Sequence, residues 1–295
     1  MKTIVINEKE IELPESWIEI NFKRFEAFSK LVRSQKTEKE LKEEYQEEDM
    51  SEDIMSLKIS LDNMNFNTKI ACFWSGLSEE ELSVLSIDEV EEIIRSVSFV
   101  NESYIPIILD KFTFRDETYY LPEPGMVKQN FGTYIEAEQI ELNNKNLEMG
   151  NIAVLPRQLA ILCKKKDEKP GLIDDDVVDK REELFKELDM ATIWDVGFFF
   201  TQTREHINER FPNLAEESGD GRLKIAARGT INGYGWLNTL YDVAKEGIFT
   251  LPDQSPVNSV LLTNLYEVLT YLSWKNAVMT FEKQYQELMK KQNKI

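Results

Sequence analysis

The N-terminal residues alternate between apolar and polar side chains in a pattern that is typical of a β-hairpin. Ile4-Val5-Ile6 and Ile11-Glu12-Leu13 flank a polar tip, Asn7-Glu8-Lys9-Glu10, and Pro14 follows the second run. Such alternation predicts half-buried strands, and a proline is tolerated only at the end or edge of a strand. The sequence therefore predicts a two-stranded hairpin over residues 3–13.

Helical spacing begins directly after the hairpin. Residues 54–74 predict a helix that ends at Gly76, because a helix C-terminus often needs the left-handed conformation that glycine adopts at little cost. Ser78 followed by Glu79-Glu80-Glu81 predicts a capped helix start. A Glu/Lys-rich stretch over residues 36–53 predicts a solvated helix or loop. Further apolar positions predict a first helix through Phe22, Phe25, Phe28 and Leu31, and another from Asp88 to Val100 with Val90, Ile93, Ile94 and Val97 facing the core.

The same landmarks return in the same order about 100 residues later. Phe112-Thr113-Phe114 and Thr118-Tyr119-Tyr120 flank a second tip, Arg115-Asp116-Glu117, and Leu121-Pro122 repeats the ending Leu13-Pro14. We interpret this order as an internal duplication; the alternative is two unrelated stretches with generic helix starts. The other matched positions are Phe22 and Phe25 with Phe131 and Tyr134, Ile70-Ala71-Cys72 with Ile161-Leu162-Cys163, Glu80-Glu81-Leu82 with Glu182-Glu183-Leu184, and Leu85, Ile87, Val90 and Ile93 with Leu188, Met190, Ile193 and Val196.

The duplication predicts the fold class and the division into domains. A two-stranded hairpin is marginal unless a helix covers its apolar face, so each copy should be a hairpin packed on helices. We predict a mainly helical α+β protein with two tandem modules, at residues 1–108 and 109–203, and an α-helical C-terminal domain at 204–295. The second copy lacks most of the acidic insert and has a longer loop from Lys164 to Lys180.

Two helices are predicted in the C-terminal domain. The first runs from about Leu223 to Glu246, with interruptions near its glycines, and ends at Gly247. The second runs from Val257 to Lys291 and carries an apolar stripe that changes face partway, which predicts a bend or a change of neighbours. The stripe consists of Leu261, Leu265, Val268 and Leu272, followed by Val278, Phe281, Tyr285 and Leu288.

Composition narrows the class of protein and the class of partner. The chain is 42% hydrophobic and 30% charged, which is typical of a globular protein. Its formal charge of −19, from 54 acidic and 35 basic side chains, repels phosphate backbones and anionic lipids, so we expect neither nucleic acid nor membrane as a partner. Cys72 and Cys163 lie in apolar runs and predict reduced thiols in an intracellular protein. The sequence shows neither a signal peptide nor a membrane-spanning run.

The residues that carry chemistry in other proteins do not assemble into a recognisable site. His206 is the only histidine, and together with Glu209 it supplies half of a zinc site. A serine or cysteine nucleophile would need that same histidine as its base. Asp174-Asp175-Asp176 lacks the ligand pattern of a calcium loop and predicts a helix N-terminus. Gly229–Trp236 matches neither a phosphate loop nor a dinucleotide fingerprint, and acidic residues follow the basic cluster Lys164-Lys165-Lys166.

These observations predict a protein that is not an enzyme, with no catalytic, cofactor-binding or metal-binding residue. The protein-binding residues remain unknown at this level. The tryptophans are expected to anchor the core, although an exposed subset would mark an interface. They are Trp17, Trp74, Trp194, Trp236 and Trp274.

Several of these features also occur together in a known group of proteins. The duplicated hairpin with Leu-Pro, the Phe198-Phe199-Phe200 ending of the second module and the run from Leu262 to Leu272 resemble structural and tail-assembly proteins of tailed phages of gut Bacteroidetes, including crAss-like phages. The resemblance is one of pattern and covers most of the chain. It implies a role in building the virion or tail and carries over no functional residue.

Three hypotheses follow for the function. The leading one is a non-catalytic protein of phage morphogenesis, either a tail assembly chaperone or a ring- or connector-like virion component, whose partners are other phage proteins. The alternative is an intracellular acidic inhibitor or regulator that binds a basic protein; an unrecognised enzyme ranks last. We expect the chain in the host cytoplasm during assembly, with the virion as a second location. The sequence leaves open whether it forms a homo-oligomer.

Overall fold

The computed structural model is mainly helical, with 67% of its residues in helices, and contains two small antiparallel hairpins. The predicted α+β, mainly helical class is therefore confirmed. Two compact units form, one from residues 1–105 and 186–192 and the other from 106–185 and 193–295. The three-part domain division stays a prediction. The structure describes residues 1–6, 9–47, 51–143, 150–168, 172–214 and 235–292.

Unit 1 begins with the predicted hairpin. Strand β1 (Lys2–Ile6) pairs antiparallel with β2 (Lys9–Leu13), and Ile4 faces Ile11 across the pair. The prediction for the tip was too long, because Lys9 and Glu10 form backbone pairs within β2; positions 7 and 8 lie outside the described residues. One face of the hairpin is buried and consists of Ile4, Ile6, Ile11 and Leu13.

The helices of unit 1 follow the predicted start and stop signals. Asn21 caps the first helix, where its Oδ1 accepts a hydrogen bond from the Arg24 amide at 2.9 Å. Gly76 ends the third helix at φ 72°, and Ser78 and Glu81 form a capping box on the fourth. The last helix ends earlier than predicted, and a 3-10 turn continues to Asn101. The helices are α1 (Phe22–Arg33), α2 (Glu38–Glu47), α3 (Glu52–Ser75), α4 (Glu79–Ser83) and α5 (Ile87–Ser96).

Unit 2 contains the second hairpin, extended by a third short strand. Strand β4 (Glu117–Tyr120) lies between β3 (Lys111–Phe114) and β5 (Lys164–Lys165). Arg115 and Asp116 both have positive φ, as a two-residue type I′ turn requires, so Glu117 belongs to the strand and not to the predicted tip. The predicted loop from Lys164 to Lys180 was also wrong, since it contains β5 and the start of a helix.

The predicted second C-terminal helix is two helices. It breaks at Thr263 and Asn264, and the two parts are α11 (Pro256–Leu262) and α12 (Leu265–Gln292). The first predicted C-terminal helix is described only from Trp236, and its end at Gly247 is confirmed by a φ of 64°. The remaining helices of unit 2 are α6 (Phe131–Asn143), α7 (Leu155–Leu162), α8 (Asp175–Phe185), α9 (Met190–Arg210) and α10 (Trp236–Glu246); the first three residues of α9 belong to unit 1.

The two hairpins lead into the same local arrangement. In unit 1, Asn21 forms an isolated antiparallel bridge with Asp189, while the Phe22 amide donates to the Leu188 carbonyl and the Met190 amide to the Ile20 carbonyl. In unit 2, Asn130 bridges Asn264 with the same two reciprocal hydrogen bonds, from Phe131 to Thr263 and from Leu265 to Gln129. Each unit thus joins the N-terminal ends of two helices through a bridge between their capping residues.

Candidate interaction surface

The residues considered for metal binding and catalysis are not brought together. His206 and Glu209 are both exposed on α9, and the imidazole lies 6.4 Å from the Tyr266 ring between centroids. Within the described parts of the chain, no group of three or more His, Cys, Asp or Glu side chains could hold a metal ion. The Asp174 carboxylate accepts a hydrogen bond from the Asp176 amide at 2.9 Å, which confirms a helix N-terminus at this position.

A buried polar cluster in unit 2 looks at first like a site. Arg204 on α9 forms an ion pair with Glu141 at 2.6 Å (Nη2–Oε1), and its Nε lies 4.0 Å from Oε1 of Glu138. Trp236 Nε1 donates to Oε2 of Glu138 at 2.6 Å, and Gln158 Nε2 donates to Oε1 of Glu141 at 3.1 Å. Burial lowers the pKa of Arg204, but the two carboxylates outweigh it and leave that pKa above its ordinary value. The cluster joins four helices through buried ionic and hydrogen-bonding contacts, and we assign it to stability.

An open groove of about 640 Å³ lies beside the second hairpin. Its walls are mainly apolar, with Tyr120 and Phe199 among them, and Lys164 and Glu168 contribute charge. Burial and the nearby Arg181 lower the pKa of Lys164, while Glu168 forms an ion pair with Arg181. No serine, threonine or cysteine is present among the lining residues of this groove.

One face of α3 in unit 1 exposes a row of large apolar side chains. Ile54, Leu57, Leu61 and Met64 lie at spacings of three, four and three residues and are between 53% and 72% exposed. We call these four residues the α3 stripe. Because helical residues three and four apart share a face, the stripe is continuous over two heptads. A row of exposed large side chains on one face is typical of an interaction site.

The opposite face of α3 holds the helix in place. Ile59 and Trp74 are buried, and the Trp74 ring lies 4.9 Å from that of Phe28 on α1. Arg24 on α1 donates to the Trp74 carbonyl at 3.0 Å and stacks over the indole at 4.8 Å. The orientation of α3 is therefore set by its buried face, which leaves the α3 stripe in solvent.

Helix α12 carries the corresponding surface of unit 2. Trp274, Phe281, Tyr285 and Leu288 are between 55% and 67% exposed, and with the half-buried Val278 they form a row with spacings of four, three, four and three residues. We call these five residues the α12 stripe. Every residue from Met279 to Gln292 is exposed, so this part of the helix projects into solvent.

The first half of α12 is fixed to unit 2. Leu265, Val268 and Leu272, which belong to the first part of the predicted apolar stripe, are buried, and Leu261 of the same stripe is half-buried. Asn213 donates to the Ser273 carbonyl at 2.9 Å and accepts, through its own carbonyl, a hydrogen bond from Asn276 at 2.7 Å. The apolar row changes face directly after these contacts.

Sequence reasoning identified neither stripe as an exposed surface. Val278, Phe281, Tyr285 and Leu288 were part of the predicted apolar row, but its change of face was interpreted as a bend or a change of neighbours. Trp274 is the exposed tryptophan that an interface would use. The α3 stripe was missed because Ile54 to Trp74 was interpreted only as a helix. Its signal was present, since the four side chains repeat at heptad spacing on the face opposite Ile59 and Trp74.

Comparison of the chain with protein-family models, with curated proteins and with solved structures found no match. None of the described helices combines the length and the apolar character that crossing a membrane requires. The fold and its surfaces therefore define the class of this protein as mainly helical α+β, with exposed apolar rows on α3 and α12.

Proposed function

We propose that the chain is a non-catalytic protein that acts by binding other proteins during assembly of a phage virion or tail, either as a tail assembly chaperone or as a ring- or connector-like component. The observation that carries the binding role is the pair of exposed apolar stripes on α3 and α12. Monomeric proteins seldom leave such rows of large apolar side chains in water, because burying them against a partner is favourable.

The phage context of the proposal is supported by the sequence. The duplicated hairpin with Leu-Pro, Phe198-Phe199-Phe200 and the run from Leu262 to Leu272 resemble structural and tail-assembly proteins of tailed phages. An acidic chain also suits this role, since a charge of −19 keeps an assembly factor in solution and away from the phage genome.

The test is purification of the tagged full-length chain from infected cells, followed by identification of the proteins that accompany it. We expect tail, connector or capsid proteins to be enriched with the unaltered chain. Leu57→Glu and Phe281→Glu should each reduce the enrichment, because each places a charge within a stripe. Ile87→Glu and Tyr241→Glu are matched controls, since both residues are exposed apolar side chains outside the stripes and should leave the enrichment unchanged.

Two results would overturn the proposal. Enrichment of a basic host protein with no virion or tail protein would favour the alternative of an acidic inhibitor or regulator. Recovery of the chain without any phage structural protein at every stage of infection would remove the assembly role.

A further inference from the structure

The two stripes share the heptad spacing by which helices pair in coiled coils. We propose that the α3 stripe of one copy packs antiparallel against the α12 stripe of a second copy of this chain. The inference deepens the proposed function by naming one partner, and it rests on that function only for the view that the chain acts through protein contacts.

One antiparallel register matches the apolar side chains of both stripes. It places Ile54 opposite Leu288, Leu57 opposite Tyr285, Leu61 opposite Phe281 and Met64 opposite Val278. In each of these four pairs, a core position of one helix packs against a core position of the other, as knobs-into-holes packing requires. The same register brings Thr68 opposite Trp274, so the row of contacts extends along the whole exposed length of both stripes.

The charges beside the stripes favour this register. Lys58 comes to face Glu282, and Asp53 comes to face Lys291, so both flanking pairs have opposite charge. A shift by one heptad toward the start of α12 would place Lys58 beside Lys275. Flanking charges of this kind set partner choice and orientation in coiled coils.

The same charged residues favour an antiparallel over a parallel orientation of α3 and α12. A parallel pairing that aligned Ile54 with Val278 would set Asp53 beside Glu282, which is a like-charge contact. Pairing α12 with another α12 would leave the α3 stripe in water. The antiparallel contact between α3 and α12 covers both stripes with one interface and leaves no like charges opposed.

The interface is close to the smallest size for a specific contact. The three aromatic rings of the α12 stripe are more than half exposed and offer roughly 350 Å². Adding the aliphatic side chains on both sides gives a total of roughly 900 Å², near the ~1,000 Å² at which specific interfaces begin. We therefore expect a weak, reversible contact whose strength rises when several copies close into one assembly.

The geometry has a consequence for assembly. Each copy presents its α3 stripe to one neighbour and its α12 stripe to another, so the contact is heterologous and propagates head to tail. Such a contact produces a ring when the rotation closes and an open filament when it does not. This is the assembly mode that a ring- or connector-like component needs.

Cross-linking of two differently tagged full-length chains tests the contact. One chain carries Ser60→Cys and the other Gln284→Cys, because these exposed residues flank the stripes and face each other in the register. Both chains also carry Cys72→Ser, and Cys163 is fully buried. A short bis-maleimide should link the two tagged chains into a dimer. Asn63→Cys in place of Ser60→Cys is the matched control, since it is exposed on the far side of α3 and should not link.

Charge exchange tests the register independently. Lys58→Glu and Glu282→Lys, each alone, should weaken self-association in sedimentation experiments by about fivefold to tenfold, because each turns an attraction into a repulsion. The chain with both substitutions should associate within about twofold of the unaltered chain, since the pair is restored with reversed polarity.

Four outcomes would overturn the inference: a chain that stays monomeric at the highest concentration reached, cross-links equally frequent from Asn63→Cys, links only within one chain when both cysteines are placed together, or a double charge variant that fails to recover. Success here with no phage protein in the infected-cell experiment would leave self-association standing and remove the assembly role. The reverse result would remove only the contact between copies.

Discussion

Replacing Glu136 with glutamine is expected to stabilise the folded chain at pH 8 and to change little at pH 4.5. Glu136 lies half-buried on α6, and its pKa is raised from 4.5 to about 7. Burial is the main cause, and the neighbouring Asp175 carboxylate adds to it, whereas Lys164 acts in the opposite direction. The folded state therefore holds a proton that the unfolded chain releases at lower pH.

The size of the effect follows from the difference between the two pKa values. A rise from 4.5 to about 7 is about 2.5 units, which corresponds to about 3.4 kcal/mol at 1.36 kcal/mol per unit. Water reaches the half-buried carboxyl and screens it, so we expect about half of this value, near 1.5 kcal/mol.

The sign of the effect is fixed by linkage. Below pH 4.5 the Glu136 carboxyl is protonated in both the folded and the unfolded state and does not lower the free energy of unfolding. Between pH 4.5 and about 7 the unfolded chain releases the proton first, so the free energy of unfolding falls as the pH rises, and above pH 7 the loss is complete. Glutamine carries no proton to release and avoids this loss.

Urea unfolding followed by tryptophan fluorescence measures the difference at both pH values. Glu136→Gln should exceed the unaltered chain by about 1.5 kcal/mol at pH 8 and by a few tenths at pH 4.5. Glu287→Gln, an exposed residue of α12, is the control and should match the unaltered chain at both. A variant that is less stable at pH 8, or one with the same gain at both pH values, would refute the reasoning.

Three further predictions concern the interior. Arg204→Met should lower the free energy of unfolding by about 3–5 kcal/mol in urea, because it leaves two buried carboxylates without their cation; a loss under about 1 kcal/mol would contradict this. Gly235→Ala should lower it by about 1–3 kcal/mol, since φ is 48° and a Cβ would lie 2.4 Å from the Gln139 carboxamide; an unchanged melting temperature would count against it. Burial raises the pKa of the Cys163 thiol. Cys163 should therefore react at least about tenfold more slowly with a thiol reagent than the half-exposed Cys72, and equal rates would argue against that burial.

Local signals in the sequence were sufficient for the elements whose ends are set by neighbouring residues. The end of α3 at Gly76 and the capping box at Ser78 depend on a glycine conformation and on a hydrogen bond three residues away. The α+β class could be predicted in the same way, because the local alternation of apolar and polar residues marks the two hairpins. These features could be predicted because the groups that decide them lie within one turn of each other.

The break between α11 and α12 could not be predicted from its own segment. The helical pattern continues through Thr263 and Asn264, and neither residue is a strong helix breaker. The break occurs because Asn264 pairs with Asn130, so that backbone groups near the gap bond to another part of the chain. A long-range contact of this kind overrides a local periodicity.

The buried polar cluster escaped prediction for a similar reason. Glu138 and Glu141 on α6 look like the solvated face of a helix, because charged residues are seldom buried without partners. Their partners come from distant parts of the sequence, with Arg204 on α9, Gln158 on α7 and Trp236 on α10. The spacing of residues in α6 therefore contains no sign of the cluster.

The repeated bridges indicate why a sequence repeat and a folded unit do not coincide here. The start of α1, the helix after the first hairpin, is bridged by Asp189, which follows the second hairpin in the chain. The start of α6, the helix after the second hairpin, is bridged by Asn264. A chain cut at residue 108 would lose the Leu188 carbonyl, which accepts a hydrogen bond from the first amide of α1, and the Met190 amide, which donates to the Ile20 carbonyl just before α1. Because unpaired buried backbone groups are costly, each hairpin copy depends on a segment that the chain supplies later. Each hairpin and the helix after it are thus completed by residues that follow them in the chain.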